Sequence, residues 1–334
     1  MKTRKILLSA DWRLDGSFEC GEGSRTALRA DELRRLPERF AEAARRERPD
    51  LAVICGRVFA SPYLEKKTEI CLLQSLARIP APVCLAPEGG ELPKNLREKL
   101  PANVYYIDGK SADTEIVLSE NKLRIGSDAE TGEVRISAPA EEAGTSCVLS
   151  GGASGEPECT WKENTLFLRC SAAEGRSFSE CGEKGAFLLT WSGEQAECRL
   201  ARVPIAARKY VCLHVDASAP DLSRTIREAL PDDAVSDCVS IVLEGECREV
   251  PDMDDLQALL EPLVFGLRIR DETAVPQKVW KGAECTSLQG TFIRSLQERC
   301  AEAENAEERN SVIRALRLGM EAFAKKEGSG NEDP

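Results

Sequence analysis

The stretch from Lys5 to Phe59 begins KILLSADWRLDGSF and ends LAVICGRVF, with a long charged segment between these two apolar runs. Each run is short and leads into small or charged residues, which is typical of a buried strand followed by a loop. Residues 27–47 carry apolar side chains at helical spacing and predict a helix, in which Pro37 predicts a kink or a split. The stretch therefore predicts a strand, a loop, a helix and a second strand.

Two strands connected in this way are parallel, so their carboxyl-terminal loops leave the same edge of the sheet, where open α/β folds bind ligands. We therefore expect residues 11–15 to face residues 56–60. Arg13 and Arg57 would then place two permanent positive charges beside Asp11.

The composition is that of a soluble globular chain. Its 334 residues are 42% hydrophobic and 31% charged, and no segment reaches the ~18 uninterrupted apolar residues of a membrane span. The fourteen cysteines are dispersed without a CxxC pair, which favours buried, reduced thiols. The net charge of −12 does not favour strong autonomous binding to nucleic acid. We expect a cytoplasmic protein with one large and one smaller domain.

The remainder of the chain predicts further alternating elements. Residues 61–82 predict a helix with Leu64, Ile70, Leu73 and Leu76 facing the sheet, and residues 83–86 and 104–107 predict strands. Short alternating runs in residues 111–139 predict antiparallel strands. From about residue 208 the pattern becomes β-α-β-α-β, and the last sixty residues predict two amphipathic helices and a polar tail.

Four segments carry a resemblance to a known family. Residues 10–15 (ADWRLD), 55–60 (CGRVFA) and 87–91 (PEGGE) occupy the places of A-D-x-H-L-D, A-G-D-L-F-D and P-G-N-H-D. Residues 170–185, CSAAEGRSFSECGEKG, are the most specific match, to P-G-x-x-E-G-R-G-F-D-E-x-G-E-K-G. Over about residues 5–300 the chain thus resembles the calcineurin-like metallophosphoesterases, and within them the SbcD/YhaO-like DNA repair exonucleases.

The resemblance implies an α/β fold with a four-layered α/β/β/α core. It places this core at residues 1–206, a small α/β capping domain at 207–287 and amphipathic helices at 288–326. Residues 327–334 are expected to be a disordered tail.

The family binds two manganese or similar divalent ions through histidine, aspartate and asparagine, and these ligands are replaced here. The corresponding vestigial site consists of Asp11, Arg13, Arg57, Glu88, Glu91 and Ser150. Of the family's own ligands only Asp11 is kept, so we expect no catalytic residue, no metal and no cofactor. A magnesium site built from Asp11, Asp15 and Glu91 is an alternative that the neighbouring arginines disfavour.

The two arginines allow two interpretations. In the favoured one they pair with Asp11, Asp15, Glu88 or Glu91 and fill an abandoned site with salt bridges. In the other they form a pocket that holds a phosphate without hydrolysing it.

His214 is the single histidine, and it lies in the apolar run YVCLHVD, outside every family motif. We expect it to be a structural residue of the capping domain. The sequence contains no GxSxG, no Walker A loop and no recognisable Cys/His pair, so nucleophilic catalysis is not expected.

The functional expectation is a catalytically inactive SbcD/YhaO-like protein that acts as a structural or regulatory subunit. The resemblance implies an SbcC-type coiled-coil ATPase as partner, with DNA contacted through that complex and no membrane contact, and a homodimer is left open. The alternatives are an active metal-dependent exonuclease or phosphodiesterase, and a module that binds phosphate or nucleotide anions.

Overall fold

The computed structural model describes residues 3–21, 23–61, 63–89, 92–109, 114–118, 121–128, 130, 133–137, 146–152, 157–191, 198–245, 252–273, 280, 283–303 and 306–328. The fold is of the mixed α/β class. It divides into two compact units, Met1–Val211 with Ser236–Cys238, and Cys212–Val235 with Val239–Pro334. The boundary expected from the sequence lies slightly earlier, after residue 206.

The first unit contains, in chain order, β1 (Arg4–Ala10), α1 (Ser24–Arg34), α2 (Leu36–Glu47), β2 (Leu51–Gly56), α3 (Lys66–Ala77), β3 (Val83–Pro87), α4 (Lys94–Arg97), β4 (Val104–Tyr106), β5 (Thr114–Leu118), β6 (Asn121–Ser127), β7 (Val134–Ser137), β8 (Ser146–Gly152), β9 (Glu158–Lys162), β10 (Thr165–Ser171), β11 (Ala186–Trp191) and β12 (Arg199–Val203).

The opening strand–helix–strand unit is confirmed. β1 and β2 are parallel, with Ile6 opposite Leu51 and Ala10 opposite Cys55. The predicted helix is split in two at Arg35, and Pro37 lies in the first turn of α2, where the missing N–H of proline costs no helical hydrogen bond.

Two six-stranded sheets form the body of the first unit. The first has the order β12-β11-β1-β2-β3-β4 and the second the order β5-β6-β7-β8-β10-β9. Along β1, Leu7 faces the helices in one core, whereas Ile6 and Leu8 face the second sheet in another. This alternation follows from the two-residue repeat of a strand. The helices cover one face of the first sheet and the second sheet covers the other, so the unit has a layer of helices, a sheet and a second sheet.

Two sequence expectations meet different outcomes in these layers. The antiparallel pairing of β5 with β6 and of β6 with β7 is confirmed. The prediction that Ile70 faces the sheet is wrong, because its side chain is 43% exposed. α3 begins only at Lys66, and its helical phase turns Leu72 into the core beside Leu76, for which the same prediction is confirmed.

The second unit contains β13 (Tyr210–Asp216), α5 (Leu222–Ala229), β14 (Cys238–Glu244), α6 (Met253–Leu260), β15 (Gly266–Asp271), α7 (Leu288–Glu302) and α8 (Ala306–Gly328). The first residues of β13 and β14 belong to the first unit. The sheet of the second unit has the order β13-β14-β15, and α5 and α6 contribute Ile226, Leu256 and Leu260 to the core on one face. The β-α-β-α-β pattern is therefore confirmed.

The two amphipathic helices pack on each other. Ile293 and Leu296 of α7 form a buried cluster with Leu316 of α8. α8 continues to Gly328, so residues 327 and 328 of the expected disordered tail are helical, and the rest of that tail lies outside the described residues. Across the described residues, no helix combines the length and apolar character needed to cross a membrane.

Candidate functional site

The loop after β1 has an uncommon backbone conformation. Asp11, Arg13 and Asp15 have φ values of 50°, 46° and 61°, a left-handed region that residues other than glycine adopt only when surrounding contacts hold them there. The loop after β2 supplies such contacts, because the N–H of Arg13 donates to the carbonyl of Arg57 at 2.9 Å. The two loops face each other, as the parallel strands predict, and their backbones are joined.

Alternate residues of this loop enter the hydrophobic core. Trp12 is fully buried, lies edge-on to Phe40 at 5.3 Å, and donates from Nε1 to the hydroxyl of Ser9 at 2.7 Å. Leu14 is buried in the same core between helices and sheet. These anchors fix the loop, while the side chain of Arg13 between them lines a surface pocket.

The carboxylate of Asp11 is enclosed by backbone. Its Oδ1 accepts a hydrogen bond from the N–H of Arg57 at 2.7 Å. A Cβ atom at Gly56 would lie 2.6 Å from Oδ1, and one at Gly151 would lie 2.9 Å from Oδ2, so both positions require glycine. Burial raises the pKa of Asp11, although the N–H of Arg57 and the charge of Arg13 act in the opposite direction.

The two arginines of the predicted site have carboxylate partners. Arg57 pairs with Glu88 at 3.3 Å, one of the pairs expected from the sequence. Arg13 pairs with Glu180 at 3.0 Å, so the expectation that its partner would be Asp11, Asp15, Glu88 or Glu91 is wrong. Glu180 belongs to the segment 170–185, and a separation of 167 residues gives no local sequence signal.

The remaining residues of the predicted site have other positions. Asp15 accepts from the hydroxyl of Thr68 at 2.6 Å and from the N–H of Glu65 at 2.7 Å, so it holds the start of α3 instead of an arginine. Ser150 lies in β8, directly before the glycine that abuts Asp11. Glu91 lies outside the described residues.

A pocket of ≈370 Å³ opens beside these loops. Its lining includes three arginines, Arg13, Arg57 and Arg176, and two glutamates, Glu19 and Glu180. Pockets of 300 Å³ or more can hold small-molecule ligands. Three cationic groups against two anionic ones make the lining favourable to an anion.

Arg176, in the segment 170–185, is a residue of the site that the sequence alone does not predict. The residue is only 6% exposed, and its Nη2 donates to the carbonyls of Trp12 at 2.7 Å and Arg13 at 2.5 Å. Within the described part of the chain, no carboxylate lies in ion-pair contact with it, and its Nε is buried without a hydrogen-bond partner. Burial, with the nearby charge of Arg13, lowers the pKa of Arg176 to about 10.

The same segment contains a buried ion-pair network. Glu174 is fully buried and accepts from Arg29 at 2.8 Å, from Arg39 at 3.0 Å and from the N–H of Ala207 at 2.9 Å. Burial alone would lower the pKa of Arg29, but the contacts with Glu174 and Glu32 outweigh it and raise that pKa. The network joins α1 and α2 to the segment that carries Arg176, and it holds that segment against the site.

The residues at these strand ends do not fit a two-metal centre. Arg13 and Arg57 cannot ligate a metal, and Oδ1 of Asp11 already accepts a backbone N–H. In the part of the chain that the structure describes, no three or more histidine, cysteine, aspartate or glutamate side chains are arranged to hold an ion. The magnesium alternative is not supported either, since Asp15 is engaged with α3 and Glu91 lies outside the described residues.

His214 does not have the structural position expected of it. Its side chain is 59% exposed on β13, where Nδ1 lies 2.5 Å from Glu244 and Nε2 lies 3.7 Å from the thiol of Cys212. The expectation that the chain lacks a Cys/His pair is therefore wrong. The i, i+2 spacing in a strand was the available signal, because it places both side chains on one face.

A second pocket, of ≈330 Å³, lies on the second sheet. It is lined by Ser127, Asp128, Glu133, Arg135 and Val148, together with Gly126. Its lining has more acidic than basic side chains, in contrast to the pocket beside Arg176.

No protein-family model and no curated protein sequence matches this chain.

Proposed function

We propose that the chain is a catalytically inactive SbcD/YhaO-like metallophosphoesterase homologue, and that it serves as a structural or regulatory subunit of an SbcC-type ATPase in DNA repair or processing. One observation carries the proposal. Arg13 and Arg57 stand where the resembled motifs have metal ligands, and their pairs with Glu180 and Glu88 fill the strand ends with salt bridges.

The chemistry of guanidinium explains why arginines at these strand ends oppose catalysis. A two-metal phosphoesterase needs two cations to activate water and neutralise phosphate oxygens. Guanidinium is permanently protonated and supplies neither a metal ligand nor a base. It does replace the positive charge beside Asp11 that a metal would provide, which supports a site kept for folding rather than for turnover.

The layering of the first unit supports the finer proposal for the fold. Helices, a first sheet and a second sheet follow one another in the order of an α/β/β/α core. The proposed fourth layer would be a helical cover on the outer face of the second sheet. The three-stranded sheet with α5 and α6 agrees with the proposed small cap.

Co-expression tests the proposed partnership. The tagged full-length chain would be produced together with the SbcC-type ATPase encoded by the same genome, and the pair would be separated by size exclusion. We expect co-elution in a stable complex that persists in the Asp11→Ala variant, because the proposed role does not use the strand-end carboxylate for chemistry. Separate elution of the two proteins would contradict the partnership.

A second candidate function, the binding of a phosphate-type anion, is favoured by Arg176. A buried guanidinium without a carboxylate partner is unfavourable unless a charge compensates it. Arg176 lines the open pocket together with Arg13 and with Arg57, which is 56% exposed. A phosphate in this pocket would supply the missing negative charge and accept charge-assisted hydrogen bonds.

Phosphate titration with calorimetry tests this second candidate. We expect inorganic phosphate to bind the wild-type chain, and Arg57→Ala to weaken binding at least fivefold. Gly16→Ala should do the same without removing a charge, because a Cβ atom there would collide with Nη1 of Arg176. Arg46→Ala, at an exposed ion pair outside the pocket, is the matched control and should bind like the wild type. Equal binding by all four proteins would contradict the assignment.

A further inference from the structure

Cys212, His214 and Glu244 lie together on one face of the second unit's sheet. Cys212 and His214 are two residues apart in β13, so their side chains share a face, while Leu213 and Val215 turn into the core on the other. Glu244 ends the neighbouring strand β14. Two adjacent strands thus bring a thiol, an imidazole and a carboxylate into one row.

The imidazole lies within hydrogen-bonding distance of both the carboxylate and the thiol. Nδ1 of His214 lies 2.5 Å from Oε1 of Glu244, and Nε2 on the opposite side of the ring lies 3.7 Å from Sγ of Cys212. An ionised carboxylate only accepts hydrogen bonds, so Nδ1 must carry the hydrogen when the imidazole is neutral. Nε2 then presents its lone pair to the thiol.

This tautomer is the one that a proton acceptor needs. In cysteine and serine nucleophile systems, a carboxylate orients the imidazole, and the far nitrogen takes the proton of the nucleophile. Cys212 is partly buried, and His214 and Glu244 are half exposed or more, so solvent reaches the row. A thiolate formed there would be accessible to a small reagent.

We propose that Cys212, His214 and Glu244 form a thiol–disulfide exchange site at which low-molecular-weight disulfides modify Cys212. The thiol of Cys212 gives its proton to Nε2 of His214, and the thiolate attacks one sulfur of the disulfide RSSR. A new S–S bond forms to Cys212 as the S–S bond of RSSR breaks. The leaving thiolate takes the proton from His214, so the products are a mixed disulfide and RSH.

A small soluble disulfide suits this place better than a substrate that must be bound. Neither of the two pockets described above includes any of the three residues. Exchange needs only an activated and accessible thiol, whereas acyl transfer also needs donors that stabilise an oxyanion. The site lies in the second unit and uses none of the strand-end residues on which the proposed function rests.

The chain contains its own control. His214 is the only histidine, so no other thiol can have an imidazole of this chain beside it. Cys285 is more exposed than Cys212. Trypsin releases the two cysteines in separate peptides, residues 210–224 and 282–294, each with one cysteine, so mass spectrometry can follow both thiols in one sample.

The test treats the reduced full-length protein with oxidised glutathione at pH 7 and measures the rate at each thiol. An ordinary thiol is ~3% ionised at pH 7, which sets a ceiling of about 30-fold on the gain from proton transfer. Because nucleophilicity falls as a thiolate becomes more stable, we expect Cys212 to react about fivefold faster than Cys285.

The variants separate activation from simple exposure. His214→Gln should lower the rate at Cys212 to that of Cys285 or below, Glu244→Gln should lower it partly, and neither should change the rate at Cys285. Both substitutions are at exposed side chains, so the melting temperature should stay unchanged. A wild-type Cys212 that reacts no faster than Cys285, or a His214→Gln variant that reacts like the wild type, would overturn the proposal.

Discussion

Replacing Glu174 by glutamine tests whether the buried ion pairs hold the segment 170–185 in place. Glu174 has no solvent exposure and accepts from Arg29, which is also fully buried, from Arg39 and from the N–H of Ala207. An amide of the same size keeps one acceptor, but it removes the charge and directs an N–H₂ group at other donors. Arg29 then stays buried with only part of its compensating charge.

The expected loss in the free energy of unfolding is large. Removing one partner of a buried ion pair typically costs about 3–5 kcal/mol, against a total stability of about 5–15 kcal/mol for a protein. With a urea dependence of ~2 kcal/mol per M, the unfolding midpoint should fall by about 2 M. Trp12 and Trp191 are fully buried in the first unit, so their fluorescence reports its unfolding.

A neighbouring glutamate provides the control. Glu183 belongs to the same segment and pairs with Arg202 and Lys209, but it is exposed, and exposed pairs contribute little to stability. Glu183→Gln should therefore leave the midpoint nearly unchanged. If Glu174→Gln shifted the midpoint no more than Glu183→Gln does, the buried network would not be what anchors the segment.

Two further substitutions address the C-terminal helices and the strand-end carboxylate. Leu316→Glu should lower the melting temperature strongly, because Leu316 is 1% exposed and packs against α7. Leu318→Glu should not, because that side chain is 62% exposed. If Leu316→Glu abolished co-purification with the ATPase at an unchanged melting temperature, Leu316 would instead belong to a docking surface. Asp11→Asn should raise stability at pH 7, because a raised folded pKa means that stability is lost as pH rises through it. The urea midpoints of the wild type and of Asp11→Asn should become equal when the pH falls below the ordinary aspartate pKa of 3.8. An Asp11→Asn variant that is less stable than the wild type at pH 7 would contradict the direction of the pKa shift.

The first elements of the fold could be predicted because their determinants are local. Apolar runs give β1 and β2, Pro37 gives the split between α1 and α2, and the parallel connection brings Asp11 close to Arg57. The rule that parallel strands end at one edge required no knowledge of other parts of the chain.

The side-chain contacts of the site could not be predicted in the same way, because they join residues that are far apart in the sequence. The partner of Arg13 is 167 residues away, and Arg176 contacts the carbonyl of Arg13 across 163 residues of sequence. In β13 the strand period gives the shared face of Cys212 and His214, but it does not say which residue of the next strand stands opposite. Such pairs are decided by tertiary packing.

Manganese content and phosphodiester turnover, measured on the same preparation, test the central claim most directly. The full-length chain would be purified in the presence of Mn²⁺, its metal content measured by mass spectrometry, and its hydrolysis of bis-p-nitrophenyl phosphate compared with that of Asp11→Ala. With Arg13 and Arg57 paired to carboxylates at the strand ends, we predict no stoichiometric manganese and equal background rates for both proteins. One or two manganese ions per chain, with turnover that Asp11→Ala abolishes, would contradict the account.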